Sequence, residues 1–377
     1  MYICRMAWAK PEYSREKVNA AGNVLMGRPT RTQMGFEEAL NIINNWRASH
    51  NFPLNTFQTR LRKLSKGIDS DSIVAQRIKR LASISHKLDR FQEMKVTQIQ
   101  DIGGCRTILS TIDHVDQLVD IYLHKGSRGV KHDLSKKDDY VLNPKDSGYR
   151  GVHLIYKYQS DKSKLYSDLK IEIQIRTFLQ HAWATAVETV STFFKQALKS
   201  SQGDKEWLRF FALMGSVMAI KESRPLIPNT PTTYKELQLE IVDFSKKLDV
   251  IGHLDAFRQS LSIFDEENPD KDAQYYLLEL DVASRRVLVK SYTQSEIVKA
   301  SKDYIEVEAK NINTPTTDVV LVSADSIEKL KIAYPNYYLD TAIFLRAVRE
   351  VISSPSEMRK KRAARNNGSQ GKLNFKS

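Results

Sequence analysis

The run Lys170-Ile171-Glu172-Ile173-Gln174-Ile175-Arg176-Thr177 alternates isoleucine with Glu172, Gln174 and Arg176. That is the pattern of a strand with one apolar and one polar face, so three polar side chains line up on one side of a sheet. Taken alone, it is a half-buried strand showing its wet face to solvent. Its neighbours change that reading. Pro144-Lys145-Asp146-Ser147-Gly148-Tyr149-Arg150-Gly151-Val152-His153 stands upstream and His181-Ala182-Trp183-Ala184 downstream.

Before this block, Phe36 to Lys66 carries Ala39, Ile42, Ile43 and Trp46, then Leu54, Phe57, Leu61 and Leu64, at helical spacing on either side of a break at Pro53. Between Ile73 and Phe91, the residues Ile78, Leu81, Ile84, Leu88 and Phe91 form one apolar stripe, and Lys79, Ser83 and Lys87 a polar row. The expectation is a helix starting near Lys79. Arg77 and Lys79 would then lie at its N-terminal mouth, where free N–H groups favour an anion such as phosphate. A short strand is expected over Ile99–Leu109, with Asp101 at its start and Gly103-Gly104 allowing close approach. A helix over Asp113–Leu123 and a basic loop over Lys125–Tyr140 follow. His132-Asp133 in that loop lacks partners at metal-ligand spacing and reads as structural or solvated.

After the central block, helices are expected over Lys205–Lys221 and Tyr234–Phe264, and a linker over Asp265–Asp272. The rhythm then changes. Tyr276–Val282 and Arg286–Tyr292 read as a hairpin, and Thr293-Gln294-Ser295-Glu296 as a capping box opening a helix towards Glu308. Val319–Val322 is a third strand, Ser326–Tyr334 a short helix, and Asp340 the cap of a last helix reaching Ile352. The fold class expected is α+β: a mixed sheet with flanking helices over 1–270, a small α+β domain over 271–352, and a basic, disordered tail over 353–377.

The chain has 377 residues, is 41% hydrophobic and 27% charged, and carries a formal charge of +13. Such an excess of Lys and Arg favours a polyanionic partner, nucleic acid or a highly phosphorylated nucleotide. Cys4 and Cys105 are far apart, Met1–Lys10 lacks an apolar signal region, and the apolar run Phe210–Ile220 is too short to span a bilayer. The expectation is a reducing, cytoplasmic setting and no membrane role.

Taken together, Arg77-x-Lys79, Ser83-x3-Lys87, Asp101-Ile102-Gly103-Gly104-Cys105-Arg106, Lys145-x2-Gly148-Tyr149-Arg150-x2-His153, Glu172-x-Gln174-x-Arg176-Thr177 and His181-Ala182-Trp183-Ala184 resemble the synthetase domain of the RelA/SpoT family over about 75–195. The resemblance implies a nucleotidyltransferase-related fold and transfer of the β,γ-pyrophosphate of ATP onto a 3′-hydroxyl, with Mg²⁺. It implies Asp101 and Glu172 as catalytic and Mg²⁺-holding residues, and Arg77, Lys79, Ser83 and Lys87 as the ATP site. Tyr149, Lys145, His153 and Gln174 are implied at the acceptor, with Tyr149 stacking on a base. In-line displacement at phosphorus needs positioning and charge neutralisation more than covalent help, which suits these residue types.

Ser147 replaces the Asn usual in alarmone-making members, and Thr185 follows His-Ala-Trp-Ala where Glu is common. No hydrolase domain is expected ahead of the synthetase. These departures resemble the toxic small alarmone synthetases, implied to modify the 3′ CCA end of tRNA and stop translation. Ala333-Tyr334-Pro335-Asn336-Tyr337-Tyr338 resembles the antitoxin domain of the CapRel family of fused toxin–antitoxin phage-defence proteins. It implies Tyr334 and Tyr337 as regulatory residues closing the site and a phage structural, capsid-like protein as trigger. The alternatives are alarmone synthesis on GDP or GTP, and an inactive RNA-binding regulator.

Overall fold

In the computed structural model of the chain, helices α1 (Arg15–Leu25), α2 (Phe36–Ser49) and α3 (Asn51–Ile68) precede the first strand. The described residues are 8–124, 131–160, 164–197, 201–259, 262–265, 272–281, 284, 286–311, 314, 317–324, 326–334 and 341–353, with no account of the side chains of 192–204, 256–265 and 327. The α2–α3 break falls at His50, whose Nδ1 lies 2.7 Å from the Trp46 carbonyl. Pro53 sits instead in the first turn of α3, where the missing N–H costs no helical bond.

Helix α4 (Leu81–Arg90) opens two residues after Lys79, close to the expected start, but strand β1 (Ile73–Ile78) precedes it and corrects the placing of Arg77. Arg77 lies within the strand and not at a helix mouth. The stripe misled because Ile78 happens to continue the spacing of Leu81, Ile84 and Leu88. The strand itself shows no alternation because it is central and covered on both faces. Strand β2 (Gly103–Leu109) and helix α5 (Ile112–Leu123) come next, then β3 (Asp133–Asp139). A strand thus occupies part of the expected loop over Lys125–Tyr140. Its sequence, Asp-Leu-Ser-Lys-Lys-Asp-Asp, is nearly all charged or polar because it is an edge strand, where charge discourages further pairing. His132 packs its ring against Phe57, with centroids 4.6 Å apart.

Strands β4 (Val152–Lys157) and β5 (Lys170–Thr177) lead into helix α6 (Phe178–Ala197), then α7 (Ser201–Lys221), α8 (Tyr234–Lys247) and α9 (Val250–Gln259). The single helix expected over Tyr234–Phe264 is therefore two helices and a strand. The break comes at Asp249, whose φ of 42° lies in the left-handed region. Strands β6 (Ser262–Asp265), β7 (Ala273–Asp281) and β8 (Arg286–Thr293) follow, then helix α10 (Ile297–Lys310), strand β9 (Thr317–Ser323), and helices α11 (Ile327–Ala333) and α12 (Ala342–Ile352). The Thr293–Glu296 capping box forms as read. The N-cap of α12 is Thr341. Asp340, Tyr337, most of the expected linker and the tail beyond Ser353 lie outside the described residues.

One nine-stranded mixed sheet runs through the described residues in the order β3-β4-β5-β2-β1-β9-β7-β8-β6. β2 and β5 are parallel, aligning Gly104 with Glu172 and Arg106 with Gln174. β1 is antiparallel to β2 on one side and to β9 on the other, where Gln76 faces Ser323 and Arg77 faces Val322. The alternating isoleucines Ile171, Ile173 and Ile175 are fully buried in a core shared with α2, α3, α4 and α5. Tyr275, Tyr292, Ile297, Tyr304, Val319 and Leu321 make a separate cluster under α10.

By compactness the chain divides into one unit of Met1–Asn143, Arg150–His181 and Ser260–Asp340, and a second of Pro144–Tyr149, Ala182–Gln259 and Thr341–Ser377. Strands β6–β9 fall in the same compact unit as β1–β5. In the second unit, Trp207, Phe210, Phe211 and Phe344 stack into an aromatic core. No helix of the described residues is long and apolar enough to cross a membrane.

Candidate active site

In the first unit, a small cavity of about 30 Å³ is lined by Arg77, Lys79, Asp101, Gly104, Cys105, Arg106, Glu172, Gln174 and Tyr334. The sheet explains the gathering. Arg77, Gly104 and Glu172 are neighbours across β1, β2 and β5, and Arg106 and Gln174 are the next such pair. Gly104 carries no side chain, leaving space between the flanking polar groups.

Asp101, just before β2, is gripped by two ammonium groups. Lys79 Nζ donates to Oδ2 at 2.6 Å and Lys87 Nζ, from α4, to Oδ1 at 3.0 Å. Burial alone would raise the Asp101 pKa, but the two lysines outweigh it and hold the carboxyl at about 2. Ser83 lies half-buried on α4 between them in sequence and is not part of the cavity wall.

Glu172 is likewise held by two side chains of the sheet. His153, which faces Gln174 from β4, places Nδ1 2.8 Å from Glu172 Oε1, and Gln174 Nε2 donates to Oε2 at 2.7 Å. Burial pushes this carboxyl up, and the His153 and Gln174 contacts pull it below the ordinary value in spite of the negative charge of Asp101. Gln174 Oε1 accepts from Arg106 Nε and Arg176 Nη2, each at 3.2 Å, which fixes the amide orientation.

Asp101 and Glu172 are both ionised, hard oxygen donors on one cavity. The described residues contain no group of three or more His, Cys, Asp or Glu that could hold a metal ion. Two carboxylates suit Mg²⁺, which commonly takes one or two protein carboxylates with phosphate and water completing its shell.

The last wall of the cavity comes from the end of α11. Tyr334 is 3% exposed, and the Arg106 guanidinium lies over its ring at 6.0 Å. Arg106 Nη1 donates to the Ala333 carbonyl at 3.4 Å, and His181 Nε2 lies 2.9 Å from the Ile332 carbonyl. A neutral imidazole donating from Nε2 fits this contact, since burial and then Arg106 and Arg176 push the His181 pKa well down. Two carbonyls at the negative end of α11 thus rest on Arg106 of the cavity wall and on His181. Sequence reasoning did not single out Arg106 or His181, although both lie in the motifs it quoted. The Arg106–Gln174 register needed the parallel pairing of β2 and β5 to become visible.

Lys145 and Tyr149 belong to the second unit. There the Lys145 ammonium lies 5.4 Å from the Tyr149 ring centroid, and Tyr149 meets Trp183 edge-on at 6.3 Å. Trp183 Nε1 donates to the Phe211 carbonyl at 2.8 Å. Gly148 supports this packing with a φ of 94°, and a Cβ there would lie 2.8 Å from Trp183 Cζ2 and 2.9 Å from the Phe211 carbonyl oxygen.

The family model described as the region found in RelA/SpoT proteins matches residues 76–197. The GTP pyrophosphokinase YwaC of Bacillus subtilis (strain 168) is 30% identical over 160 residues, 38% of this chain and 73% of the relative. The GTP pyrophosphokinase YjbM of the same organism is 33% identical over 116 residues, 30% of this chain and 52% of the relative. Among solved structures, small alarmone synthetase 2 from Bacillus subtilis is 25% identical with a TM-score of 0.39, covering 47% of this chain and 94% of its own. With 73% of the first relative covered at 30% identity, the chain belongs to the RelA/SpoT family of pyrophosphokinases.

Proposed function

We propose that this protein transfers the β,γ-pyrophosphate of ATP to the 3′-hydroxyl of the tRNA CCA end, and that its own C-terminal segment holds it off until a phage structural protein binds. The observation that carries the autoinhibited reading is Tyr334. It comes from the C-terminal segment yet shares one cavity with Arg77, Lys79, Asp101, Glu172 and Gln174. An ATP triphosphate and the Tyr334 side chain would compete for the same basic wall.

With the segment displaced, Arg77, Lys79 and Lys87 would pair with donor phosphates, and the planar guanidinium of Arg77 could also lie against adenine. Asp101, released by the lysines, and Glu172 would hold Mg²⁺, which when bound supplies charge neutralisation at the triphosphate. Glu172 would take the proton of the attacking hydroxyl at a carboxylate oxygen, with His153 and Gln174 orienting it. Tyr149 would stack on the acceptor base with Lys145 beside it, a contact worth roughly 1–3 kcal/mol. A formal charge of +13 supports a polyanionic acceptor. The trigger would have to bind the displaced form better than the closed one.

A second reading keeps the chemistry and changes the acceptor to GDP or GTP. It is supported by the relatives, which are named GTP pyrophosphokinases. Incubating the full chain, and its Tyr334→Ala variant, with γ-labelled ATP and either deacylated tRNA or GTP separates the two. Label on tRNA is expected; label on guanosine nucleotide alone would decide for the second.

A further inference from the structure

The turn between β1 and α4 carries Lys79 and Arg80, and an ion pair between Arg47 and Glu308 grips its backbone from outside the cavity. Arg47, on α2, donates from Nε to the Lys79 carbonyl at 3.0 Å. Its Nη1 donates to Glu308 Oε2 at 2.7 Å and its Nη2 to Oε1 at 3.2 Å. Glu308, on α10, in turn accepts the Leu81 amide at Oε1 over 2.8 Å. Tyr304 completes the knot, accepting from Arg47 Nη2 at 2.7 Å and donating to Glu308 Oε1 at 3.0 Å. The Arg47 side chain is 2% exposed and that of Glu308 13%. Arg80, in the same turn, pairs with Asp318 of β9.

We propose that Arg47 is a positioning residue for Lys79, and that Glu308 is the switch that keeps the turn in its closed setting. The inference rests on the proposed competition between ATP and the C-terminal segment for the cavity. Both peptide groups that define the turn, the Lys79 carbonyl and the Leu81 amide, are bound by this one pair. In that setting the Lys79 ammonium ends on Asp101. Withdrawing α10 removes the carboxylate from the Leu81 amide and leaves the buried Arg47 cation holding only the Lys79 side of the turn. Arg47 then loses both its carboxylate and the helix that covers it, keeps its bond to Asn44 Oδ1 on its own helix and turns towards water, so the turn and Arg47 rearrange together. Lys79 is thereby released from Asp101 and can meet a donor phosphate. Helix α10 thus acts on the donor site through two backbone bonds, without entering the cavity itself.

The test uses the full chain, with AMP release measured in the presence of both deacylated tRNA and GDP, and ATP affinity measured by calorimetry. Glu308→Gln keeps the shape and an acceptor for Leu81 but removes the charge. It is expected to raise basal AMP release about tenfold and to add nothing in a Tyr334→Ala background, where the closed setting is already broken. Arg47→Lys in the Tyr334→Ala background is expected to raise KM for ATP about tenfold with kcat within about twofold, because Lys cannot hold the Lys79 carbonyl and the carboxylate at once. A mere brace would behave otherwise: both variants would lower Tm and kcat together with KM unmoved, and that result overturns the proposal. Should Arg47→Lys or Glu308→Gln fail to fold, Asp318→Asn reports on the same turn from its exposed side. It is expected to raise basal release about threefold, and unchanged release overturns the proposal. A Tyr334→Ala protein that neither binds ATP nor releases AMP removes the reading of the cavity, and this inference with it. A Tyr334→Ala protein that turns over normally while Arg47→Lys leaves KM unmoved removes this inference alone.

Discussion

Lys79 Nζ lies 2.6 Å from Asp101 Oδ2, so a cation placed to receive a phosphate is spent on a carboxylate of its own chain. With Lys87 on the other oxygen, Asp101 is held at a pKa of about 2, below the ordinary 3.8. A depressed carboxyl contributes stability that is fully present above its unfolded pKa and lost as the pH falls through the folded one. Replacing Asp101 by Asn should therefore cost about 2 kcal/mol near pH 6, and the difference should fade between about pH 4 and pH 2. Urea midpoints of the two proteins across that range provide the check. Equal midpoints at pH 6 would mean the lysines gain nothing from Asp101.

The contact between Tyr334 and Arg106 is made by the ring face. Tyr334→Phe should keep the closed form, and Tyr334→Ala should raise basal AMP release at least about tenfold, since losing a buried aromatic side chain costs roughly 3–5 kcal/mol of packing. A Phe variant as active as the Ala variant would transfer the blocking role from the ring to the hydroxyl.

For Glu172, the expectation is a loss of reaction rate rather than of donor binding. Glu172→Gln should lower kcat about 10²- to 10⁴-fold, the usual range for a positioned base, with ATP affinity changed by no more than about threefold. His153→Gln should fall between the variant and the parent, because it removes the group that orients Oε1 and leaves the carboxylate. Pre-steady-state AMP release in the Tyr334→Ala background separates rate from affinity.

Gly148→Ala should destabilise the second unit by about 2 kcal/mol or more, combining the positive φ with a collision against Trp183 and the Phe211 carbonyl. Thermal unfolding measures the cost. A neutral outcome would show that Trp183 can move away, which the hydrogen bond from its Nε1 resists.

Several features could be read from the residues alone, because their patterns are local. The isoleucine alternation of β5 and the capping box at Thr293 are decided by nearest neighbours, and both appear as expected. The residues Arg77, Lys79, Lys87, Asp101 and Glu172 were expected to belong together. The cavity wall joins Arg77, Lys79, Asp101 and Glu172, and an ion pair adds Lys87 to Asp101. What the sequence hid was long-range or coincidental. Ile78 fitted a helical stripe by spacing while serving as the end of a strand. The exposed, charged β3 looked like a loop because an edge strand need not alternate. The Arg47–Glu308 pair joins positions 261 residues apart, and no periodicity connects them.

Strand β9 joins β1 through the pairs Gln76–Ser323 and Arg77–Val322. In the open form proposed above, β1, reading Ile-Val-Ala-Gln-Arg-Ile, would turn from an interior strand into a rim with apolar side chains and unmatched amides. Such a rim invites the strand of another molecule, so activation would carry a hazard of self-association that the closed form does not have. A protein built this way would do best to stay open only briefly, and a trigger that itself capped the β1 rim would make the open form safe as well as active.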